Sequence, residues 1–318
     1  MKKISFILLP FLYIISFAFS CKSNVSSKND DRVLCPRNVY SRNGVETVYS
    51  YSYEAKEGEV DPTSKTLSSV EKYDSLGNVI YYKGRYYPSV KGVDLSTYHY
   101  EVRSELDLSW NTEYTYKLEY SDTVFVKASI FDSDGNYIAR VEQIADGGVV
   151  NDSVYVRDRL IYVRKSFKDV KGRDSLILSF DNEYDRDLSL SEEERCSYIT
   201  SGSVERTDYV RKSRDFFYQR NHKYETTKGS YEKQYNERGQ IIKGDYGGIW
   251  TSYTYDERGF NVEIITGNDY RKTKTLQKAT YYDNGLCKNN YSYADMTVCT
   301  SYSEFEYSFY PYSRAILE

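Results

Sequence analysis

Histidine is almost missing from this chain. There are two, His99 and His222, in 318 residues. That scarcity leaves little room for a histidine-based metal centre or a Ser–His or Cys–His nucleophile pair. There is no G-x-S-x-G, no H-E-x-x-H, no P-loop and no G-x-G-x-x-G, so no cofactor and no catalytic residue is expected. The five cysteines include no C-x-x-C, which removes the usual redox and zinc-knuckle spacings. Basic residues do not exceed acidic ones (43 against 47), and a mildly acidic chain has no electrostatic case for nucleic acid. After residue 20 no run is apolar enough to cross a bilayer as a helix.

The first twenty residues read differently from the rest. Lys2 and Lys3 precede an apolar stretch from Ile4 to Phe19, and Ala18-Phe19-Ser20 ends it before Cys21. This is the pattern of a secretory signal peptide. With a cysteine directly after the small residue, residues 1–21 resemble a bacterial lipoprotein signal. That resemblance implies cleavage before Cys21, lipid on Cys21 and a membrane held through the anchor. Residues 21–33, "CKSNVSSKNDDRV", are polar and read as a solvated tether. Lys22 carries no acidic inner-membrane retention signal of the kind known in some lipoproteins, which by the same resemblance implies the outer membrane. Removing residues 1–20, with two lysines and no acids, takes the formal charge from −4 to −6.

What the chain has is tyrosine, 37 of them. Tyr, Thr and Val suit half-exposed strands, where a ring offers an apolar body and a polar tip. Period-two alternation runs almost throughout: Tyr49, Tyr51 and Tyr53; Tyr98, Tyr100 and Val102; Leu106, Leu108 and Trp110; Tyr114, Tyr116, Leu118 and Tyr120. This puts one set of side chains on one sheet face. His99 falls inside one such strand, "STYHYEV", and His222 near a loop. Only Leu188 to Arg195, "LSLSEEER", has the composition for a turn or two of helix, with Glu192, Glu193 and Glu194 as a solvated face.

Between the strands one turn recurs: an aromatic residue, then Asp, Asn or Ser, two free positions, then glycine. It occurs at Tyr40–Gly44, Tyr73–Gly77, Phe131–Gly135, Tyr235–Gly239 and Tyr255–Gly259. The short polar side chain accepts bonds from the backbone ahead of it. The two free residues fill a type I turn, and glycine takes the left-handed position that returns the chain into an antiparallel strand. Gly44, Gly77, Gly135, Gly239 and Gly259 are therefore structural, and Glu257 and Arg258 read as turn-tip residues. "DSDGN", Asp132 to Asn136, is explained by the turn, without calcium. Tyr282-Asp283-Asn284-Gly285 looks one residue shorter, and its Asn-Gly suits a type I′ hairpin.

The stretch Tyr253-Thr-Tyr255-Asp-Glu-Arg-Gly259, with its twin at Tyr235–Gly239, resembles the YD repeats of bacterial Rhs-type proteins, most clearly over residues 231–290. That resemblance implies tandem hairpins. The expectation is an all-β domain over 34–318, with consecutive antiparallel hairpins forming an extended, twisted or curved sheet.

Four cysteines remain once Cys21 is lipidated. Cys287 and Cys299 flank a predicted hairpin and are candidates to pair across it, leaving Cys35 and Cys196 by elimination. Gly247 and Gly248 beside Trp250 make Tyr246, Trp250 and Tyr253 the candidate ligand surface, because tyrosine and tryptophan rings stack on sugars and make protein contacts. The leading expectation is a non-enzymatic, lipid-anchored envelope or surface protein that binds glycan or an envelope protein. The alternatives are a carboxylate-based glycan hydrolase and a structural subunit of an outer-membrane assembly.

Overall fold

The computed structural model describes residues 36–56, 58–90, 93–109, 111–121, 124–181, 188–214 and 224–310. The leader, Cys21, the tether, Cys35, Trp110 and His222 lie outside them.

Helix α1 (Pro36–Asn43) leads into β1 (Val45–Lys56), a two-residue strand β2 (Glu59–Val60) and a short 3-10 turn. β3 (Thr66–Tyr73) and β4 (Val79–Gly84) form a hairpin, and helix α2 (Leu95–Leu106) separates β4 from β5 (Tyr114–Ser121). Then come β6 (Val124–Phe131), β7 (Tyr137–Asp146), β8 (Val149–Val156), β9 (Arg159–Lys168), β10 (Asp174–Asp181) and β11 (Ser189–Ser201). The chain continues through β12 (Val204–Arg214), β13 (Tyr224–Tyr235), β14 (Ile241–Asp245), β15 (Ile249–Tyr255) and β16 (Asn261–Asn268). β17 (Thr273–Tyr281), β18 (Cys287–Ala294) and β19 (Val298–Phe309) complete it.

From β3 onward each strand pairs antiparallel with the next, and β1 holds both ends of the series. Val48 lies opposite Glu71 of β3 on one edge and opposite Tyr307 of β19 on the other. Leaving aside β2, eighteen strands close into a barrel. The all-β antiparallel expectation holds, but the extended or curved open sheet does not. A row of hairpins leaves two unpaired edges, and joining β1 to β19 satisfies both.

The inward face is packed beside β5–β9 and, around α1, at one end of the barrel. Tyr116, Ile130, Val141 and Val154 are at most 1% exposed, and α2 lies against this wall. Tyr98 Oη donates to Asp152 Oδ2 at 2.6 Å, and the His99 ring stands edge-on to Tyr114 at 4.7 Å. Leu95, Tyr98 and Val102 are fully buried, each worth roughly 1.5–3 kcal/mol.

Here the alternation misled. Tyr98, Tyr100 and Val102 belong to a helix, not a strand. The buried set is Leu95, Tyr98, His99, Val102 and Arg103, the i, i+3, i+4, i+7 spacing of a helix face. Asp94 caps it through the Thr97 N–H and hydroxyl. Leu188–Arg195 errs the other way. It enters strand β11, with Glu192 and Glu194 on the inward face and Glu193 and Arg195 outward.

The outward face is built for water. Glu119 lies opposite Lys127, Lys127 opposite Glu142, and Glu263 opposite Lys278. Arg195–Glu193 and Arg206–Asp208 add ion pairs at 2.7 Å. A membrane-spanning barrel needs an apolar outer band, and each outward Lys or Arg at its midplane costs about 2–4 kcal/mol. Closure therefore does not make this wall a membrane-spanning one.

The recurring turn is a hairpin in four of its five copies. At Asp256 the N–H donates to Phe260 O and Oδ1 accepts from the Phe260 N–H, while the Gly259 N–H returns to Asp256 O. Gly259 has φ +93°. Asp74, Asp132 and Asn236 do the same, so the Asp132 carboxylate serves the turn, and no cluster of three metal-ligating residues occurs among the described residues. The first copy is different: Tyr40–Gly44 ends α1, with the Gly44 N–H on Ser41 O. Both settings want a left-handed glycine, so the motif cannot tell them apart. Tyr282–Leu286 is no shorter than the others. Tyr282 takes the Asp position and bonds Leu286 O, as Asp256 bonds Phe260 O. A further copy, Asp169–Arg173, has the same Asp-centred bonds without the aromatic residue that marks the others.

Four of these turns meet α1 at one end of the barrel. Arg238 Nη1 donates to Glu257 O, Gln240 Nε2 to Gly259 O, and Arg258 Nη1 to Tyr282 O. Asn43 Nδ2 then donates to Asn284 O, and Ser41 Oγ to Ser75 O. Arg258 is thus a bridge between turns as well as a tip residue.

Candidate functional site

The candidate site is the inward wall that α2 leaves uncovered, from β10 around to β19. Its first part is charged. Facing positions of β11 and β12 set Glu194 opposite Arg211 and Glu192 opposite Ser213. Arg211 Nε lies 2.6 Å from Glu194 Oε2 and 3.6 Å from Glu192 Oε2, so one guanidinium serves two carboxylates. Burial pushes the Glu192 carboxyl up, and Arg211 opposes it. Cys196, next inward on β11, is a free thiol pushed up to about 12 by burial and by Glu194. Towards the α1 end the Arg173 guanidinium covers the Tyr198 ring at 4.0 Å and pairs with Asp169 and Glu205.

The wall then becomes neutral. Tyr253 and Tyr255 face inward from β15, with their phenols raised by burial, Tyr255 to about 12. Ile264, Gln277 and Ser292 continue the row across β16, β17 and β18. Chemically this half offers rings, hydroxyls and carboxamides without an ion.

Of the three residues expected to share a ligand surface, Tyr246 and Tyr253 lie on the inward side and Trp250 does not. Tyr253 faces inward, and Tyr246, at the β14–β15 turn, stacks on the inward Tyr231 at 5.5 Å. Trp250 points outward. Its Nε1 donates to Asp269 Oδ1 at 3.1 Å, and its ring covers Gly267. Trp250 is one residue out of phase with Thr251, which pairs with Gly244 on the inner face. Nor do Gly247 and Gly248 make room for a ligand: the Tyr270 ring lies against Gly248 and its hydroxyl bonds Gly247 O.

Cys287 and Cys299 are both free thiols. Cys287 lies opposite Tyr281 and Cys299 opposite Tyr293, at opposite ends of the β18–β19 hairpin, so the expected pair does not face across it. Cys196 has its partner candidate, Cys35, outside the described residues. The run "SEEER" has the composition of a helix start, which hides the strand phase of the β11 glutamates. Read with period two, Glu192 and Glu194 share one face and Glu193 the other.

No protein-family model matches the sequence, and no curated protein matches it. Among solved structures, a porin-like protein of Bacteroides vulgatus is 12% identical over 64% of this chain and 96% of its own, with a TM-score of 0.38. A porin-like protein of Bacteroides uniformis is 9% identical over 84% and 97%, with a TM-score of 0.39. A TcdB2–TccC3–Cdc42 complex is 9% identical over 74% of this chain and 17% of that one, with a TM-score of 0.16. At such TM-scores the likenesses assign neither fold nor function, and the barrel stands on its own strand pairing.

Proposed function

We propose that this is an exported, lipid-anchored envelope protein acting as a non-enzymatic scaffold, with its ligand, a glycan or a protein segment, held in the open half of the barrel. The observation that carries the reading is the division of the inward face. α2 fills it beside β5–β9 and α1 packs Tyr40 against Tyr307 at one end of β19, while away from α1 half-buried tyrosines and polar side chains line the wall from β10 to β19. The outward ion pairs support a barrel surrounded by water, and in this reading a lipidated Cys21 supplies the membrane attachment. Two or more acyl chains hold a protein stably where one does so only marginally.

Anchoring is tested by mass spectrometry of the mature N-terminus, with an acylated Cys21 expected, and by Cys21→Ala, which should release the protein from membranes. A soluble wild-type protein with a free Cys21 thiol overturns it. Scaffold function is tested by a glycan array and an envelope pull-down with the wild-type protein. Binding without turnover is expected.

One observation favours the hydrolase alternative: two inward carboxylates share Arg211, and Glu192 is shifted towards its protonated form. An acid beside an ionised carboxylate is the glycosidase arrangement. Hydrolysis of an envelope glycan, lost in Glu192→Gln, would establish it in place of the scaffold.

A further inference from the structure

We infer that the inward wall of β15–β19 is a binding surface for a neutral oligosaccharide. The inference rests on the scaffold reading and narrows it to one ligand class.

The first support is segregation of charge. Among the described residues, none of the directly paired inward positions on these five strands is Asp, Glu, Lys or Arg. Glu263, Lys274, Lys278, Glu304 and Glu306 alternate to the outside of the same strands, and Lys288, the unpaired bulge residue where β18 begins, is exposed with its ammonium over the Tyr282 ring. Strands β11–β13 show that the fold tolerates inward charge, since Glu192, Glu194 and Arg211 face in there. Neutrality on the other side is thus a property of that wall, not of the whole interior.

The second support is the side-chain grid. Tyr253, Ile264, Gln277, Ser292 and Ser301 lie directly opposite one another across five strands. The next row holds Ala279, Asn290, Ser303 and Ser52. Neighbouring strands are about 4.8 Å apart and successive inward rows about 6.8 Å, so the first row alone spans roughly 20 Å. Hydroxyls and carboxamides both donate and accept, as sugar hydroxyls do. The Tyr253 ring supplies an apolar face. An anionic or cationic polymer would lose hydration here and meet no counter-charge.

A third observation points to a missing donor. Asn261 Oδ1 and Asn290 Oδ1 are buried on this side and have no hydrogen-bond partner in the protein. Leaving such an acceptor unsatisfied costs about 1–3 kcal/mol. A hydroxylated ligand, with the water it orders, supplies what the chain does not.

The test is calorimetric titration of the full-length mature protein in detergent with maltohexaose, cellohexaose and xylohexaose, with hexagalacturonate as the charged counterpart. At least one neutral hexasaccharide is expected to bind and hexagalacturonate is not. Gln277→Ala and Asn290→Ala should each weaken binding about tenfold, about 1.4 kcal/mol, and Gln277→Glu should abolish it, with circular dichroism and Tm unchanged. The outward Thr254→Ala should leave affinity as it is. No neutral binding, or binding indifferent to all three inward substitutions, overturns the inference. Binding of hexagalacturonate alone overturns the ligand class and leaves the scaffold reading standing. Cleavage of a bound neutral hexasaccharide to shorter sugars overturns the non-enzymatic reading and leaves the ligand class standing.

Discussion

Trp250 lies over Gly267, its direct partner across the β15–β16 ladder, so closely that a Cβ on Gly267 would sit 2.3 Å from Trp250 Cε2. The ring takes the volume that any other residue at 267 would need. Gly267→Ala should therefore destabilise the protein by about 1–3 kcal/mol through overpacking. In a Trp250→Ala background the same substitution should cost little, because the ring is gone. Urea unfolding of the four proteins in the cycle measures both. Equal costs in the two backgrounds would mean that the ring readily moves aside.

The turn at 256–260 separates backbone from side-chain roles. Gly259 sits at φ +93°, a region that β-branched residues avoid. Gly259→Val should cost about 1–3 kcal/mol in thermal or chemical unfolding. Glu257 receives its contact from Arg238 through the backbone carbonyl, which alanine keeps. Glu257→Ala should change stability by less than about 0.5 kcal/mol. Loss of ligand binding in Glu257→Ala at unchanged stability would show that the turn does more than reverse the chain.

His99 gives the core a pH dependence. It is buried against Tyr114 and Tyr116, and burial, with Arg103 adding to it, lowers its pKa from 6.5 to about 4. The folded state therefore holds a neutral ring while the unfolded chain takes up a proton below pH 6.5. Stability from this group is whole above that pH and falls as pH drops towards 4, by at most about 3 kcal/mol. His99→Gln should flatten the wild-type profile between pH 6.5 and 4 in urea titrations. An unchanged slope would place the proton uptake elsewhere.

The thiols should report the register of the last hairpin. Burial raises Cys287 to about 12, as it does Cys196 with help from Glu194. Both should resist alkylation at pH 8 in the folded protein. After unfolding without reductant, Cys196, Cys287 and Cys299 should all be modified. A Cys287–Cys299 disulfide peptide in a non-reducing digest would contradict the pairing of β18 with β19.

The turns were legible because their bonds are local: Asp74 and Asp256 each satisfy backbone two or four residues ahead. α2 was not, because Tyr98, Tyr100 and Val102 alternate as a strand would, and only the burial of His99 and Arg103 reveals the helical face. The error at Glu192 was the reverse. Trp250 illustrates the limit at the site. Alternation shows that Trp250 and Tyr253 lie on opposite faces, but proximity in sequence and two glycines argued for a shared loop. Closure was invisible, since no local pattern announces that Val45 will meet Phe309.

That last ladder has a consequence for how the molecule comes into being. The first strand of the barrel waits for the final one, some 260 positions later by the pairing of Val45 with Phe309, so the slowest contacts to form are those that complete the ring. Until then a growing row of hairpins carries a free strand at each side, each a template for a neighbouring chain. A chain cut short before β19 would keep both, and its expected fate is self-association, not a smaller barrel.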